Sequence, residues 1–144
     1  GNKNLMPTVK MYGTTLNIKN KRVARINSIQ DITVEMPKRY LNFVDANASN
    51  GDIYGSTIMM RTGTITSDNG DVDIKNLFLK KKVKLDSANG DINVDYCNAK
   101  GYNLSADNGD VTFNDKNMDD SYNKNSSSQQ LLSAYSDIGD VSVN

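Results

Sequence analysis

The sequence of 144 residues contains no histidine and only one cysteine, Cys97. The lack of histidine removes the commonest general base and the commonest metal ligand at neutral pH. One cysteine can form neither an internal disulfide nor a thiolate zinc cluster, and without histidine it cannot form a Cys/His nucleophile pair. We therefore expect Cys97 to be a small buried apolar residue, and we expect the protein not to be an enzyme.

A surplus of charge of either sign is also missing, because 17 basic residues balance 17 acidic ones. Nucleic-acid binding needs a basic surface, so no nucleic-acid partner is expected. No apolar run reaches about 18 residues, and no segment of this sequence is expected to insert into a membrane. The sequence starts with Gly1 instead of methionine, and we expect a signal or anchor segment upstream of it.

What the sequence does contain is one motif written five times. The motif is a glycine followed by aspartate and then by alternating apolar residues, as in NGDINV at 89–94. The five copies are Gly51-Asp52, Gly70-Asp71, Gly90-Asp91, Gly109-Asp110 and Gly139-Asp140. Their glycines are 19, 20, 19 and 30 residues apart, and the residue three positions before each glycine is always alanine or serine.

A period near 20 residues predicts a stacked repeat in which each unit is strand, tight turn and strand. Strict alternation places one face of each strand in a core, and glycine permits a sharp turn at positive φ. One unit alone buries little apolar surface, so stacking is required. We predict an all-β, single-stranded β-solenoid of five to seven coils; the alternative is a β-sandwich or meander with Asn-Gly hairpins.

Two further features set the predicted domain limits. A weaker copy, IQDITVEMP at 29–37, has Gln30 in the glycine position, and TTLNIKN at 14–20 keeps only the apolar alternation. We expect residues 1–28 to form an irregular cap or first strands and residues 29–144 to form the solenoid. The long last interval contains a polar stretch at 114–130, which we predict to be a surface loop inserted between two coils.

The recurring aspartates are the best chemical feature of the sequence. If the coils stack in chain order, Asp52, Asp71, Asp91 and Asp110 form a ladder with about 5 Å between neighbours. Bare carboxylates at that distance repel by about 1 kcal/mol in water. We expect each aspartate to accept N–H bonds within its own turn. The alternative is that these four aspartates bind calcium, a cation that takes carboxylate oxygens from turns.

Two surface features could bind a partner. LKKKVKL at 79–85 could contact an anionic polymer or lipid head groups, although a solvated corner is the simpler interpretation. The tyrosines could form a platform for sugar rings, although they share no repeat register. They are Tyr40, Tyr54, Tyr96, Tyr102, Tyr122 and Tyr135.

The repeated NGD[IV]x[IV] pattern over about residues 29–144 resembles a bacterial adhesin-like family of β-repeat domains of unknown function. The resemblance implies a β-solenoid outside the cytoplasm, at a bacterial surface or secreted, and it implies no catalytic residues or cofactor. We expect a structural or adhesive domain that presents a surface to a glycan or a protein.

The main alternative is an envelope-sensing module that forms the extracytoplasmic half of a membrane-anchored protein. A calcium-dependent or carbohydrate-acting protein is a remote third. Because the chain ends directly after a repeat strand, either the polar loop folds over that edge or another subunit pairs with it, and we expect weak self-association through the edge.

Overall fold

A computed structural model describes residues 8–12, 15–19, 33–35 and 38–144. The chain divides into two compact units, Gly1–Met36 and Pro37–Asn144. In the first unit, β1 (Thr8–Tyr12) and β2 (Thr15–Lys19) pair as an antiparallel hairpin. The predicted start of the solenoid at residue 29 lies outside the described residues, and residues 33–35 form no strand.

The second unit is all-β, and its described residues contain no helix. Its strands are β3 (Leu41–Ala48), β4 (Ile53–Gly55), β5 (Ile58–Ser67), β6 (Val72–Ile74), β7 (Leu77–Leu79), β8 (Val83–Asn89), β9 (Ile92–Val94), β10 (Gly101–Asn108), β11 (Val111–Phe113), β12 (Lys116–Asn117), β13 (Ser121–Lys124), β14 (Leu131–Ile138) and β15 (Val141–Val143). The repeat units pair with parallel strands throughout, which confirms the predicted solenoid and excludes the hairpin alternative.

Each repeat forms one coil that runs along a long strand, turns at its glycine and returns along a short strand. We number the coils in chain order: coil 1 is 41–55, coil 2 is 58–74, coil 3 is 77–94, coil 4 is 101–113 and coil 5 is 131–143. The long strands form one sheet together with β7 and β13, and the short strands that follow the glycines form a second one with β12. The inward residues of both sheets meet in a single core.

The alternation of the sequence builds this core directly. In every short strand from coil 2 onward, the first and third residues are buried and the middle residue is partly exposed. Equivalent residues lie in register on neighbouring coils, so the core consists of rows that run along the stack. One such row is Ala46, Ile65, Leu85, Ala134 and Leu104. Burying one leucine or isoleucine stabilises the fold by about 1.5–3 kcal/mol.

The coils do not stack in the order of the chain. Coil 5 lies between coils 3 and 4, because β14 pairs with β8 on one side and β10 on the other. The short strand β15 likewise lies between β9 and β11. The spatial order is therefore coil 1, 2, 3, 5, 4, and the prediction of stacking in chain order is wrong.

The polar insertion at 114–130 makes this order possible. The prediction that this segment is a loop throughout is wrong, because it contains β12 and β13. These strands pair antiparallel with β11 and β10 and cover the outer edge of coil 4. Beneath this cap, the Phe113 ring stacks on Tyr122 with centroids 4.4 Å apart and meets the edge of Tyr102 at 4.8 Å. The cap thus closes the end of the stack, and the chain then returns to the gap beside coil 3.

A glutamine side chain occupies the point where coil 5 enters the stack. There the segment that leads from coil 3 to coil 4 still lies directly beside coil 3, through a bridge between Leu77 and Cys97. The Gln130 amide nitrogen donates to the carbonyl oxygens of Leu79, at 2.8 Å, and Asn98, at 2.9 Å. The Asn98 side-chain oxygen in turn accepts the Leu79 N–H at 2.7 Å. Where the two coils diverge, the backbone cannot form hydrogen bonds between neighbouring strands, and these side chains form hydrogen bonds in their place.

The predicted open edge at the C-terminus is absent, because β15 is paired on both sides. The interpretation of GDVSVN as an unpaired edge is wrong for this physical reason. Self-association itself stays an untested prediction, without the edge on which it depended.

Candidate functional site: the Gly-Asp turns and the adjoining groove

The glycines of the motif lie on top of one another at one corner of the stack. Gly51, Gly70, Gly90 and Gly139 have positive φ, as the sequence predicts. Gly109 does not, yet a Cβ there would overlap with the carbonyl oxygen of Gly139. Glycine is thus required by the close approach of two backbones as well as by the turn.

The aspartates that follow the glycines form a ladder between coils. The Asp91 Oδ1 accepts the backbone N–H of Asp140 at 2.8 Å, and the Asp91 N–H donates to Asp71 Oδ1 at 2.9 Å. The same bond links all five, in the order Asp52, Asp71, Asp91, Asp140, Asp110. The prediction that each aspartate caps its own turn is wrong, because it accepts from the next coil. Asp110 also stacks on Asp140 instead of Asp91.

Small polar residues extend this network on both sides of the glycine. Three positions before it, the buried hydroxyl of Ser136 donates to the Gly90 carbonyl oxygen at 2.9 Å, and Ser67 and Ser87 bond in the same way. One position before the glycine, Asn89 donates to Asn69 Oδ1 at 3.2 Å. The serine at this position in coils 2, 3 and 5 is therefore explained by a bond across coils.

A shallow groove opens on the outer face of the short-strand sheet, next to the aspartate ladder. Its volume is about 440 Å³. Its polar and aromatic lining comprises Tyr54, Ser56, Asp73, Lys75, Asn93 and Asp95. The Asn93 amide donates to Asp73 Oδ1 at 3.0 Å, and Tyr54 is 73% exposed. The Tyr54 hydroxyl donates to Asp52 Oδ2 at 3.1 Å, and this bond to a carboxylate raises the pKa of Tyr54.

A comparison with known families is consistent with the stacked coils, the ladders at the turns and the repeat period. The family model described as Toastrack DUF4097 matches residues 2–144. The chain belongs to the Toastrack family. No curated protein and no solved structure matches it. In the part of the Toastrack chain that the structure describes, no helix is long and apolar enough to cross a membrane.

The calcium interpretation can now be compared with the geometry. Within residues 33–35 and 38–144, no group of three or more carboxylate or cysteine side chains is placed to hold a metal ion. One oxygen of Asp52, Asp71, Asp91 and Asp140 accepts a backbone N–H. The second oxygen of Asp110 accepts from Asn117 at 3.2 Å. Calcium binding by Asp52, Asp71, Asp91 and Asp110 stays a prediction for experiment.

One substitution separates the two roles of the ladder. In Asp91→Asn, the side-chain oxygen can still accept the Asp140 N–H, while one of a row of like charges is removed. We expect the free energy of unfolding, measured by thermal unfolding, to be unchanged or to rise by up to about 1 kcal/mol. We also expect no response to added calcium or chelator in either protein. A melting temperature that calcium raises in the wild type and not in Asp91→Asn would establish a metal site.

The asparagine ladder has one gap that predicts a stabilising change. Coil 5 carries Ile138 where the other coils have asparagine, and its side chain is 56% exposed. In Ile138→Asn, the amide can donate to Asn89 Oδ1, as Asn89 does to Asn69. We expect the free energy of unfolding to rise by about 0.5–1.5 kcal/mol, measured by denaturant titration. Ile138→Thr, which lacks the amide, should not show this gain; an equal gain in both would contradict the ladder.

Cys97 lies in the core and is only 8% exposed, as the sequence predicts. Burial raises the pKa of its thiol to about 11, so very little thiolate forms near neutral pH. Tyr102 and Tyr122 belong to the aromatic cluster under the cap and do not line the groove. Of the six tyrosines considered as a sugar platform, the structure places only Tyr54 in this groove.

Proposed function

We propose that this Toastrack domain is a non-enzymatic binding module that presents a rigid surface to a glycan outside the cytoplasm. The observation that carries the proposal is the groove beside Tyr54. A largely exposed aromatic ring offers an apolar face to the C–H side of a sugar ring. The carboxylate and amide of Asp73 and Asn93 lie beside it and can bond to sugar hydroxyls. The volume of the groove also falls within the range of roughly 300–1,000 Å³ that ligand sites occupy.

The way the groove is held supports binding without reorganisation. Tyr54, Asp73 and Asn93 are the middle residues of three neighbouring parallel strands, in register with one another. The ladder below them fixes their backbones, and the bond from Tyr54 to Asp52 orients the ring. A site whose side chains are already oriented loses less conformational entropy when a ligand binds.

The absence of catalysis belongs to the same proposal. The nucleophile that the sequence offers, Cys97, is buried with a protonated thiol. The aspartates recur because the turn register places them there, and their Oδ1 atoms accept backbone bonds. Location outside the cytoplasm is inferred from the family resemblance alone, and protease accessibility on intact cells would test it.

Binding of neutral oligosaccharides on a glycan array, followed by calorimetry on the best ligand, tests the proposal. Tyr54→Ala should weaken binding at least about tenfold, whereas Tyr54→Phe should retain most of it. Tyr135→Ala is the matched control, because Tyr135 lies on the other sheet and bonds to Asp107. The proposal fails if no glycan binds, or if Tyr54→Ala binds as tightly as Tyr135→Ala.

A further inference from the structure

The zero net charge of the chain conceals a separation of charge across the stack. The sequence shows one basic run, LKKKVKL, but the structure brings cations from coil 2, from coil 3 and from the segment just before coil 1 to one corner. We call this set the basic corner: Lys38, Arg39, Arg61, Lys80, Lys81 and Lys82. All six are exposed. Separate segments contribute to it, so it is more than the solvated face of a single strand.

Direct contacts hold the basic corner together. The Lys81 N–H donates to the Arg61 carbonyl oxygen at 2.7 Å, and the Thr62 hydroxyl donates to the Lys82 carbonyl oxygen at 2.6 Å. The Lys80 ammonium lies 4.3 Å from the centre of the Tyr40 ring, and Lys38 and Arg39 immediately precede that tyrosine. None of the six forms an ion pair with another residue that the structure describes. Their charge is therefore not neutralised by an ion pair within the part of the chain that the structure describes.

Eight of the acidic residues occupy the opposite end of the long strands. The ladder Asp52, Asp71, Asp91, Asp140 and Asp110 lies at the glycine corner, where Asp68, Asp107 and Asp137 add further carboxylates. In coil 3 the seven residues of β8 separate the two corners, a distance of roughly 23 Å. A domain polarised in this way binds an anionic surface in one orientation, with the basic corner towards it and the acidic corner away from it.

The face that adjoins the basic corner carries apolar and aromatic side chains. Met59 and Phe78 are neighbours in register on β5 and β7, immediately before the corner residues. The Phe78 ring lies 5.6 Å from the ring of Tyr96, which is 48% exposed. Cations beside amphipathic aromatic rings suit the boundary between lipid head groups and acyl chains. A dissolved polyanion would need the charges alone.

We propose that the basic corner and this adjoining face dock on an anionic lipid surface, without insertion of any segment across it. The docking does not depend on the glycan proposal, since it uses a different corner of the stack. Lys80, Lys81 and Lys82 lie towards the lipid phosphates, and Phe78 and Tyr96 lie at head-group depth. The Tyr54 groove opens on the short-strand sheet and the aspartate ladder lies at the glycine corner, so both lie outside the basic corner.

Sedimentation of the full chain with vesicles tests the docking. Binding is expected to vesicles that contain phosphatidylglycerol and not to phosphatidylcholine alone, and it should weaken as salt is raised. Lys81→Glu should lower the partition coefficient about 25-fold, because it removes one cation and adds an anion. Lys116→Glu makes the same change of charge on the cap strand β12 and should change it less than about twofold. Equal losses in both variants would contradict docking through the corner, as would no binding.

Tryptophan fluorescence distinguishes binding to a membrane from binding to dissolved polyphosphate. The chain has no tryptophan, so Phe78→Trp provides a single reporter on the adjoining face. Its emission should shift to shorter wavelength with phosphatidylglycerol vesicles and not with soluble polyphosphate. Polyphosphate binding that competes with the vesicles, without any shift of emission on vesicles, would overturn the lipid assignment in favour of a polyanion. Melting curves of all variants confirm that they are folded.

Discussion

Gly90→Val is expected to destabilise the domain by more than about 3 kcal/mol and to leave most of it unfolded at moderate temperature. Gly90 has φ of +149°, a conformation that a β-branched residue rarely adopts. A Cβ at this position would also overlap with the carbonyl oxygen of Gly70 on the neighbouring coil. Because backbone blocks the new side chain, the two coils would have to separate. Thermal or urea unfolding measures the loss.

Gly51→Val separates the two causes. Gly51 also has positive φ, at +125°, but a Cβ there meets nothing within 4 Å. We expect this variant to lose only the strain of the backbone conformation, about 1–2 kcal/mol. If both variants lose the same amount, the turn alone requires glycine and the close stacking of coils does not.

Leu132→Ala is expected to cost about 3–5 kcal/mol, although this residue belongs to the last coil of the chain. Leu132 is fully buried, because coil 5 is covered by coil 3 on one side and coil 4 on the other. Removing its side chain leaves a cavity that the flanking coils can fill only by moving together. Chemical denaturation of the purified variant measures the loss.

Leu41→Ala is the matched control at the other end of the second unit. The substitution is the same, leucine to alanine, but Leu41 lies on the first coil and is only partly buried. We expect a cost of about 1–2 kcal/mol. Equal costs for the two leucines would contradict the interior position of coil 5, since on the terminal coil 1 the residue in the row of Leu132, Val44, is only partly buried.

The repeat made the fold predictable, because stacking in register explains why one Gly-Asp motif recurs five times. The order of the coils was not predictable in the same way. Every coil presents the same glycine, aspartate and apolar positions, so any coil can pair with any other. One signal was available, the length of the polar insertion at 114–130, since a cap strand needs it.

The site was predicted in part. The aspartates and glycines were recognised from their spacing, but the bonds they make run between coils, and their partners depend on the coil order. No sequence motif indicated a role for Gln130. Its amide donates to two carbonyl oxygens that have no strand partner because the coils diverge there. The groove and the basic corner combine residues about 20 positions apart. Such combinations appear only when the register of the stack is known.

Disulfide trapping tests the position of coil 5 most directly. Lys84 on β8 is in register with Ser133 on β14, and Ser133 is in register with Asn103 on β10. Neighbouring strands place Cα atoms about 4.8 Å apart, within disulfide reach, whereas strands two positions apart are separated by about 9.6 Å, beyond the limit of about 7 Å. In a Cys97→Ala background, Lys84→Cys with Ser133→Cys should therefore oxidise rapidly to a disulfide, and Lys84→Cys with Asn103→Cys should not. Rapid oxidation of the second pair and not the first would show that the coils stack in chain order, and it would contradict the interleaved fold.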